Sequence, residues 1–207
     1  MSMKHGMDWG SIPEAGSGNV DFLRLTHGDN VVRVIGRPSE IKVHWEKAVD
    51  NSTKKVLCPG SGCPLCKSGK APQVRYQVQV LDRDDESKVK VLEGGKSIFN
   101  AIKAYAVDPD YGDPTKYDVK VKKEGSGRET RYTVMASPKR SELTDDELQR
   151  IEESKSLEEI NQVKSIDEIM EMGLEALVGS TGDLADDDWG ADGAGGNSVS
   201  DDDWNEL

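Results

Sequence analysis

The sequence predicts a mainly β fold, a small Greek-key barrel followed by a helical segment, on three observations. Apolar and polar residues alternate with a period of two in several short runs between positions 30 and 135, as in half-buried strands. One run with helical spacing, residues 97–107, interrupts them. Past Pro138 the spacing is helical only. Five or six short strands with one helix between them suit a five-stranded OB barrel, although other small barrels give a similar pattern.

The predicted strands follow one another closely along the chain. They cover residues 30–38, 40–49, 73–81, 88–92, 117–123 and 128–135. In the predicted helix 97–107, Ile98, Phe99, Ile102 and Tyr105 lie on one stripe. Thr144, Ser156 and Ser165 are each followed three residues later by Glu, the capping-box pattern that opens a helix. We therefore expect two or three short helices between residues 144 and 178.

The charge is segregated along the chain. Residues 1–140 hold 24 Lys and Arg against 18 Asp and Glu, a charge of +6, whereas residues 141–207 hold 3 against 21, a charge of −18; together they give the net charge of −12. A mildly basic body with a strongly acidic end is compatible with nucleic-acid binding despite the acidic total. The predicted domains are a flexible arm (1–19), a barrel core (20–140) with a zinc-binding subdomain at about 41–72, a helical segment (141–179) and a disordered acidic tail (180–207).

Composition also restricts the compartment. No stretch approaches the roughly 18 apolar residues that a membrane-spanning helix needs, and the first residues lack the apolar core of a secretory signal. We expect a cytoplasmic protein with no membrane partner. An odd number of cysteines, three within nine positions, favours metal binding in a reducing compartment over a disulfide framework.

The cysteines predict a metal site. The Cys63-x-x-Cys66 spacing lets two thiolates bind one ion, and Cys58 offers a third. Tetrahedral Zn²⁺ needs a fourth ligand, for which His44 is preferred because it lies on a predicted strand leading into the loop; His27 and a non-histidine ligand are the alternatives. Three reduced cysteines without metal, or a redox Cys-x-x-Cys pair, are the other interpretations. A site with all four positions filled is structural.

One enzymatic alternative uses the same residues. His44-Trp-Glu46 followed by Cys63-x-x-Cys66 is similar to the signature of zinc deaminases, with Glu46 as the proton shuttle. Against it, Gly62 stands where the signature has Pro, His44 lies in a strand pattern, and Cys58 has no role. The sequence therefore favours a protein that is not an enzyme.

Basic and aromatic residues are interleaved in the body of the chain. Single strands are bound by cations that contact phosphates and by aromatic rings that stack on bases. The candidate DNA contacts are Trp45, Lys47, Arg75, Tyr76, Lys103, Tyr105, Lys116, Tyr117, Lys120, Lys122, Arg131 and Tyr132. Each of them alone could equally be a core or surface residue, so the prediction rests on the set.

These features together resemble a known family. His44, Cys58 and Cys63-x-x-Cys66 between OB-like strands, with an acidic tail, look like the zinc-containing single-stranded-DNA-binding proteins of T-even-type bacteriophages; residues 94–102, 108–114 and 131–135 are also similar to that family's core. The resemblance implies single-stranded DNA as partner, cooperative coating of strands in replication, recombination and repair, and tail contacts with replication proteins in an infected bacterium. The family's basic N-terminal arm is not evident, so we expect a monomer or weak self-association.

The acidic end is the last predicted site. Residues 183–207 contain nine acidic residues, no Lys or Arg, and two copies of Asp-Asp-Asp-Trp. The predicted partner-binding residues are Asp201, Asp202, Asp203, Trp204 and Leu207. A tail that only solubilises the protein is the alternative. We further expect the tail to compete with DNA for the basic groove. A zinc-ribbon regulatory adaptor that binds a polymerase or other basic protein through this tail is the alternative function.

Overall fold

The computed structural model describes residues 21–178. Within them, seven strands form one antiparallel sheet: β1 (Gly28–Val34), β2 (Ser39–Lys47), β3 (Thr53–Leu57), β4 (Gln73–Asp82), β5 (Lys88–Gly94), β6 (Tyr117–Glu124) and β7 (Arg131–Arg140). The helices in the same range are α1 (Pro64–Lys67), α2 (Lys96–Val107), α3 (Asp145–Glu153), α4 (Leu157–Ile160) and α5 (Ile166–Glu171). The predicted arm 1–19 and tail 180–207 lie outside the described residues. The described helices include none long and apolar enough to cross a membrane.

The strand connections are those of an OB barrel. β4 pairs with β2 through its first half and with β1 through its last residues, while its other edge pairs with β5. β1 also pairs with β6, which pairs with β7. The barrel strands are therefore β1–β2, β4, β5, β6 and β7, with α2 between the third and fourth. The predicted mainly β fold is confirmed.

The barrel core consists of the apolar residues of the alternating strands. Val78 and Val80 of β4 and Val119 and Val121 of β6 point inward, and α2 closes one end through Ile98 and its neighbours. The buried members are Val32, Val34, Val78, Val80, Leu92, Ile98, Ile102, Tyr117, Val119, Val121 and Val134. The period of two on the strands and the helical spacing on α2 thus supply matching apolar faces.

The helical segment packs against the outside of the barrel. Thr144, Ser156 and Ser165 each form a complete capping box with the Glu three residues later, as predicted. α3 contacts β5 and α4 contacts β4. Gln79 of β4 donates to the carbonyl oxygen of Lys155, at 2.8 Å, between these helices. The segment therefore covers part of the outer face of β4 and β5.

A buried charge network joins the barrel to α3. The Arg33 side chain is fully buried; it donates to Asp118 Oδ1 at 2.7 Å and to both the carbonyl and hydroxyl oxygens of Ser141. Asp118 also accepts from Arg83, whose guanidinium forms an ion pair with Glu147 of α3. These hydrogen bonds compensate the loss of hydration of a buried guanidinium.

A second, smaller core lies at the far end of β2 and β3. Its buried members are Ala48, Val56, Cys63, Leu65, Ile169, Leu174 and Leu177. The chain after α5 pairs with the end of β2: Ala48 and Leu174 form a backbone bridge, and the Glu175 N–H donates to the Lys47 carbonyl. We call this cluster, which joins the cysteine loop to the end of the helical segment, the metal lobe.

Candidate metal centre and nucleic-acid interface

His44, Cys58, Cys63 and Cys66 converge in the metal lobe. Their ligand atoms all lie within 4.8 Å of one another. His44 comes from β2, Cys58 follows β3, and the other two cysteines lie at the start of the short helix α1 and within it. The Cys58 N–H donates to the Lys42 carbonyl, which fixes the start of the loop against β2.

The separations of the ligand atoms match a tetrahedral zinc site. Cys58 Sγ lies 3.7 Å from Cys66 Sγ, and His44 Nε2 lies 3.5 Å from Cys63 Sγ and 3.7 Å from Cys66 Sγ. With Zn–S bonds of about 2.3 Å and Zn–N bonds of about 2.0 Å, a tetrahedron has S···S edges of about 3.8 Å and S···N edges of about 3.5 Å. These three separations are those expected around one Zn²⁺, and the four side chains could hold such an ion.

The electrostatics of the cluster favour a cation between the sulfurs. Desolvation and the neighbouring thiols Cys58 and Cys63 raise the pKa of Cys66 to about 11. Burial lowers the pKa of His44, although Glu46 acts in the opposite direction; the lowered pKa favours the neutral imidazole, which is the form that binds metal. Three adjacent thiolates repel one another unless a cation neutralises them. His27, the alternative ligand, lies exposed before β1, outside this cluster.

Exposed aromatic rings and cations share the outer face of β2–β5. The Lys55 ammonium lies 5.1 Å from the centre of the Phe22 ring and 5.9 Å from that of Trp45. Phe22 is 39% exposed and Trp45 is 46% exposed. Arg75 of β4 and Glu93 of β5 complete the group. We call Phe22, Trp45, Lys55, Arg75 and Glu93 the cation–aromatic face.

Strand pairing places these residues side by side. Trp45 lies directly opposite Lys55 in the β2–β3 pair. In the β4–β5 pair Glu93 lies opposite Gln77, whose side chain points to the same side as that of Arg75, two residues earlier. Phe22 reaches the face because its segment pairs in parallel with the outer edge of β5 at Val91. β4 and β5, which carry Arg75 and Glu93, are the second and third strands of the OB barrel. The face of these two strands is the one that binds oligonucleotides in OB folds.

Glu93 is the centre of the polar contacts on this face. Its Oε2 accepts from the Lys55 ammonium and, at 2.7 Å, from Gln77 Nε2. Its Oε1 lies 3.7 Å from Arg75 Nε. Gln77 in turn accepts from Asn161, at 2.7 Å, in the helical segment. The carboxylate is therefore held in place between two cations.

Of the predicted DNA contacts, Trp45 and Arg75 lie on the cation–aromatic face. The structure distributes the others over several elements: Lys47 is exposed at the end of β2, Lys103 on α2, and Arg131 and Tyr132 at the start of β7, while Lys116 lies just before β6. Lys47, two residues after Trp45 on β2, points to the same side of the sheet as the cation–aromatic face, whereas the others belong to elements outside β2–β5.

Several predicted contacts already have partners within the protein. Tyr76 packs against Phe99 and donates to Glu40, and Tyr105 packs edge-on against Tyr111. On the outer face of β6, Lys120 pairs with Asp29 and Lys122 pairs with Glu124. To contact phosphates, these two lysines would have to break their ion pairs with Asp29 and Glu124.

The prediction that Tyr117 contacts DNA is wrong. Its side chain is 1% exposed, packs in the barrel core and donates its hydroxyl hydrogen to the Gly112 carbonyl. The alternation Tyr117, Val119, Val121 places all three on the inner face of β6. A ring in this position cannot stack on a base.

The sequence analysis missed Phe22, Lys55 and Glu93. Lys55 lies on β3, a five-residue strand with two consecutive lysines that was not predicted. Phe22 meets Lys55 only because its segment pairs with a strand almost seventy positions later. The turn Asp50-Asn51-Ser52, with Asn51 at a φ of 62°, is the signal that could have identified the β2–β3 hairpin.

Comparisons with known proteins give one informative match. A probable ssDNA-binding protein of Escherichia phage T5 is 25% identical over 151 residues, which cover 61% of this chain and 58% of that protein. The chain thus spans little more than half the length of this relative. No protein-family model matches the chain. No solved structure matches it either.

Proposed function

We propose that this chain is a sequence-nonspecific single-stranded-DNA-binding protein and not an enzyme, and that it binds the strand on the cation–aromatic face. The observation that carries the proposal is the Lys55 ammonium between the two exposed rings of Phe22 and Trp45 on the strand face of an OB barrel. Exposed rings stack on bases of any identity, and neighbouring cations bind the phosphates. The printed name of the phage T5 relative supports the same activity.

The metal centre has a structural role in this proposal. His44, Cys58, Cys63 and Cys66 would hold one Zn²⁺, which would crosslink β2, β3 and α1 and stabilise the metal lobe. A deaminase needs an open coordination position for water. Four converging protein ligands fill a tetrahedral site, which favours the structural role over the deaminase alternative.

The broader role rests on sequence features beyond the described residues. In it the protein coats and protects single strands during replication, recombination and repair in the cytoplasm of an infected bacterium, as a monomer or weakly self-associating chain that can coat cooperatively. The acidic tail, with Asp201, Asp202, Asp203, Trp204 and Leu207, recruits replication or recombination proteins and competes with DNA for the binding face. The nine acidic residues of 183–207 support the competition.

Fluorescence anisotropy with labelled oligo-dT and a duplex of equal length, over a salt series, tests the proposal. We expect the zinc-loaded protein to prefer the single strand and to bind more weakly as salt rises. Trp45→Ala should weaken binding about tenfold, since base stacking on one ring contributes about 1–3 kcal/mol. Leu148→Ala, which truncates a residue 50% exposed on α3, is the matched control and should bind like the parent.

Absence of binding to either oligonucleotide would refute the proposal. That result would favour the zinc-ribbon adaptor that acts through its acidic tail. Equal affinity for single strand and duplex would also contradict it, because stacking on exposed rings requires unpaired bases.

A further inference from the structure

We infer that Glu93 competes with a backbone phosphate for Lys55 and Arg75: a bound single strand contacts these two cations from the solvent side, while the Glu93 carboxylate stays beside them. The inference deepens the proposed function and rests on it. It assigns a phosphate subsite to Lys55 and Arg75, between the rings of Phe22 and Trp45, and it makes Glu93 a built-in competitor of DNA.

The geometry around the carboxylate is that of an anion site. Two cations of different strands converge on Glu93: Lys55 donates to Oε2, and Arg75 Nε lies 3.7 Å from Oε1. The Glu93 side chain is 12% exposed, whereas those of Lys55 and Arg75 are 25% and 34% exposed. The cations therefore reach solvent beyond the carboxylate that they hold.

Arg75 has hydrogen-bonding capacity that Glu93 does not use. Among the described residues, Arg75 Nε is buried and has no hydrogen-bond acceptor. Its 3.7 Å separation from Glu93 is an ion pair without a hydrogen bond. A guanidinium presents paired donors that match a phosphate, so a bound strand offers Arg75 a better partner than it has in the free protein.

Glu93 cannot withdraw freely from the subsite. Gln77 is fully buried, donates to Glu93 and is itself held by Asn161. A phosphate on Lys55 and Arg75 therefore lies close to a retained negative charge, and like charges in contact oppose binding. This predicts that Glu93 lowers the affinity for nucleic acid, although it orders the two cations.

The test compares Glu93→Gln with Glu152→Gln in the full-length, zinc-loaded protein, with labelled oligo-dT as the probe. Each variant removes one negative charge. The amide introduced by Glu93→Gln keeps an oxygen that can accept from Gln77. Glu152 is an exposed residue of α3 and serves as the control for the change in net charge. We expect Glu93→Gln to bind about five- to tenfold more tightly at low salt. The slope of log K against log salt should also become steeper by about 0.7, the value for one further phosphate contact on a single strand. Glu152→Gln should match the parent in slope.

The outcomes separate this inference from the proposed function. If Glu93→Gln and Glu152→Gln bind alike, or if Glu93→Gln binds more weakly than the parent, the competitor role is overturned while DNA binding stands. If the parent does not bind oligo-dT, the proposed function itself fails. If circular dichroism shows that Glu93→Gln does not fold, Arg75→Gln is measured instead. Its slope of log K against log salt should be shallower than that of the parent by about 0.7. Lys139→Gln, which removes an exposed cation at the end of β7, is the control. An unchanged slope in Arg75→Gln overturns the inference.

Discussion

His44 and Trp45 are consecutive residues of β2 whose side chains point to opposite sides of the sheet. His44 Nε2 lies 3.5 Å from Cys63 Sγ in the metal lobe, while Trp45 is 46% exposed on the cation–aromatic face. Lys55, which contacts the Trp45 ring, lies on β3, two residues before the end of that strand and three before Cys58. The hairpin β2–β3 therefore links the proposed metal centre to the proposed DNA-binding face.

Replacement of His44 should remove the metal. We expect the purified protein to contain one zinc per chain and His44→Gln to lose most of it, because three thiolates alone leave the tetrahedral site incomplete. The melting temperature of the variant should fall, since the metal lobe loses its crosslink. Metal content by atomic emission and unfolding by circular dichroism measure both effects. His27→Gln removes an exposed histidine outside the cluster and is the control; equal zinc in both variants would contradict the assignment.

Removal of the Asp118 carboxylate should destabilise the barrel. Asp118→Ala leaves the fully buried Arg33 guanidinium without its charged partner and also releases Arg83. The expected loss is about 3 kcal/mol in the free energy of unfolding, the range for a broken buried ion pair. Urea denaturation measures it. Glu124→Ala breaks an exposed pair with Lys122 and should leave the midpoint unchanged. A similar small effect in both variants would mean that the oxygens of Ser141 and Thr115 satisfy Arg33 without the carboxylate.

Much of the fold was predictable because it depends on short-range patterns. The alternation of Val78 and Val80 and the helical spacing of Ile98 and Ile102 identified β4 and α2, and three capping boxes located the starts of α3, α4 and α5. The four side chains that converge in the metal lobe were named from the cysteine spacing and from the strand that carries His44. Each of these signals is contained within about twenty residues.

The cation–aromatic face was less predictable because long-range pairing assembles it. Adjacency in sequence of a cation and an aromatic ring placed Tyr117 among the candidates, yet strand alternation turns its ring into the core. Phe22 and Lys55 come together only through the pairing of separate segments, and Glu93 joins them across β4 and β5. No local pattern of residue types encodes these contacts.

Acidification should weaken the attachment of α3 to the barrel through Glu147. Burial raises the pKa of Glu147, but hydrogen bonds from the Thr144 N–H and from Arg83 outweigh it, so that the pKa lies below the ordinary value of 4.5. A group whose pKa is lower in the folded state stabilises the fold above its unfolded pKa, and this contribution is lost as the pH falls through the folded pKa.

Glu147→Gln should therefore be less stable than the parent at pH 7, by about 1 kcal/mol, and the difference should shrink below pH 4.5. Urea midpoints between pH 7 and pH 3 measure the difference. Asp146→Asn removes an exposed charge from the same first helical turn and controls for the helix dipole. If the difference in stability between Glu147→Gln and the parent stays constant with pH, protonation of Glu147 does not change the stability of the fold in this range.

Deletion of residues 183–207 should tighten binding to oligo-dT and steepen its salt dependence. In the proposed function the tail's nine acidic residues compete with phosphates for the same cations, and the deletion leaves all 27 Lys and Arg of the sequence in place. Since this competition is electrostatic, the gain in affinity should be largest at low salt and disappear as screening shortens the Debye length to a few ångströms.

A full-length variant with Asn or Gln at the nine acidic positions is the matched control: it should bind oligo-dT like the deletion, because its charge is changed and its length is not. If the deletion binds more tightly but the neutral tail behaves like the parent, the tail acts by bulk or by its tryptophans. Unchanged affinity of the deletion at low salt would remove self-competition from the proposed function and leave partner recruitment as the tail's remaining role.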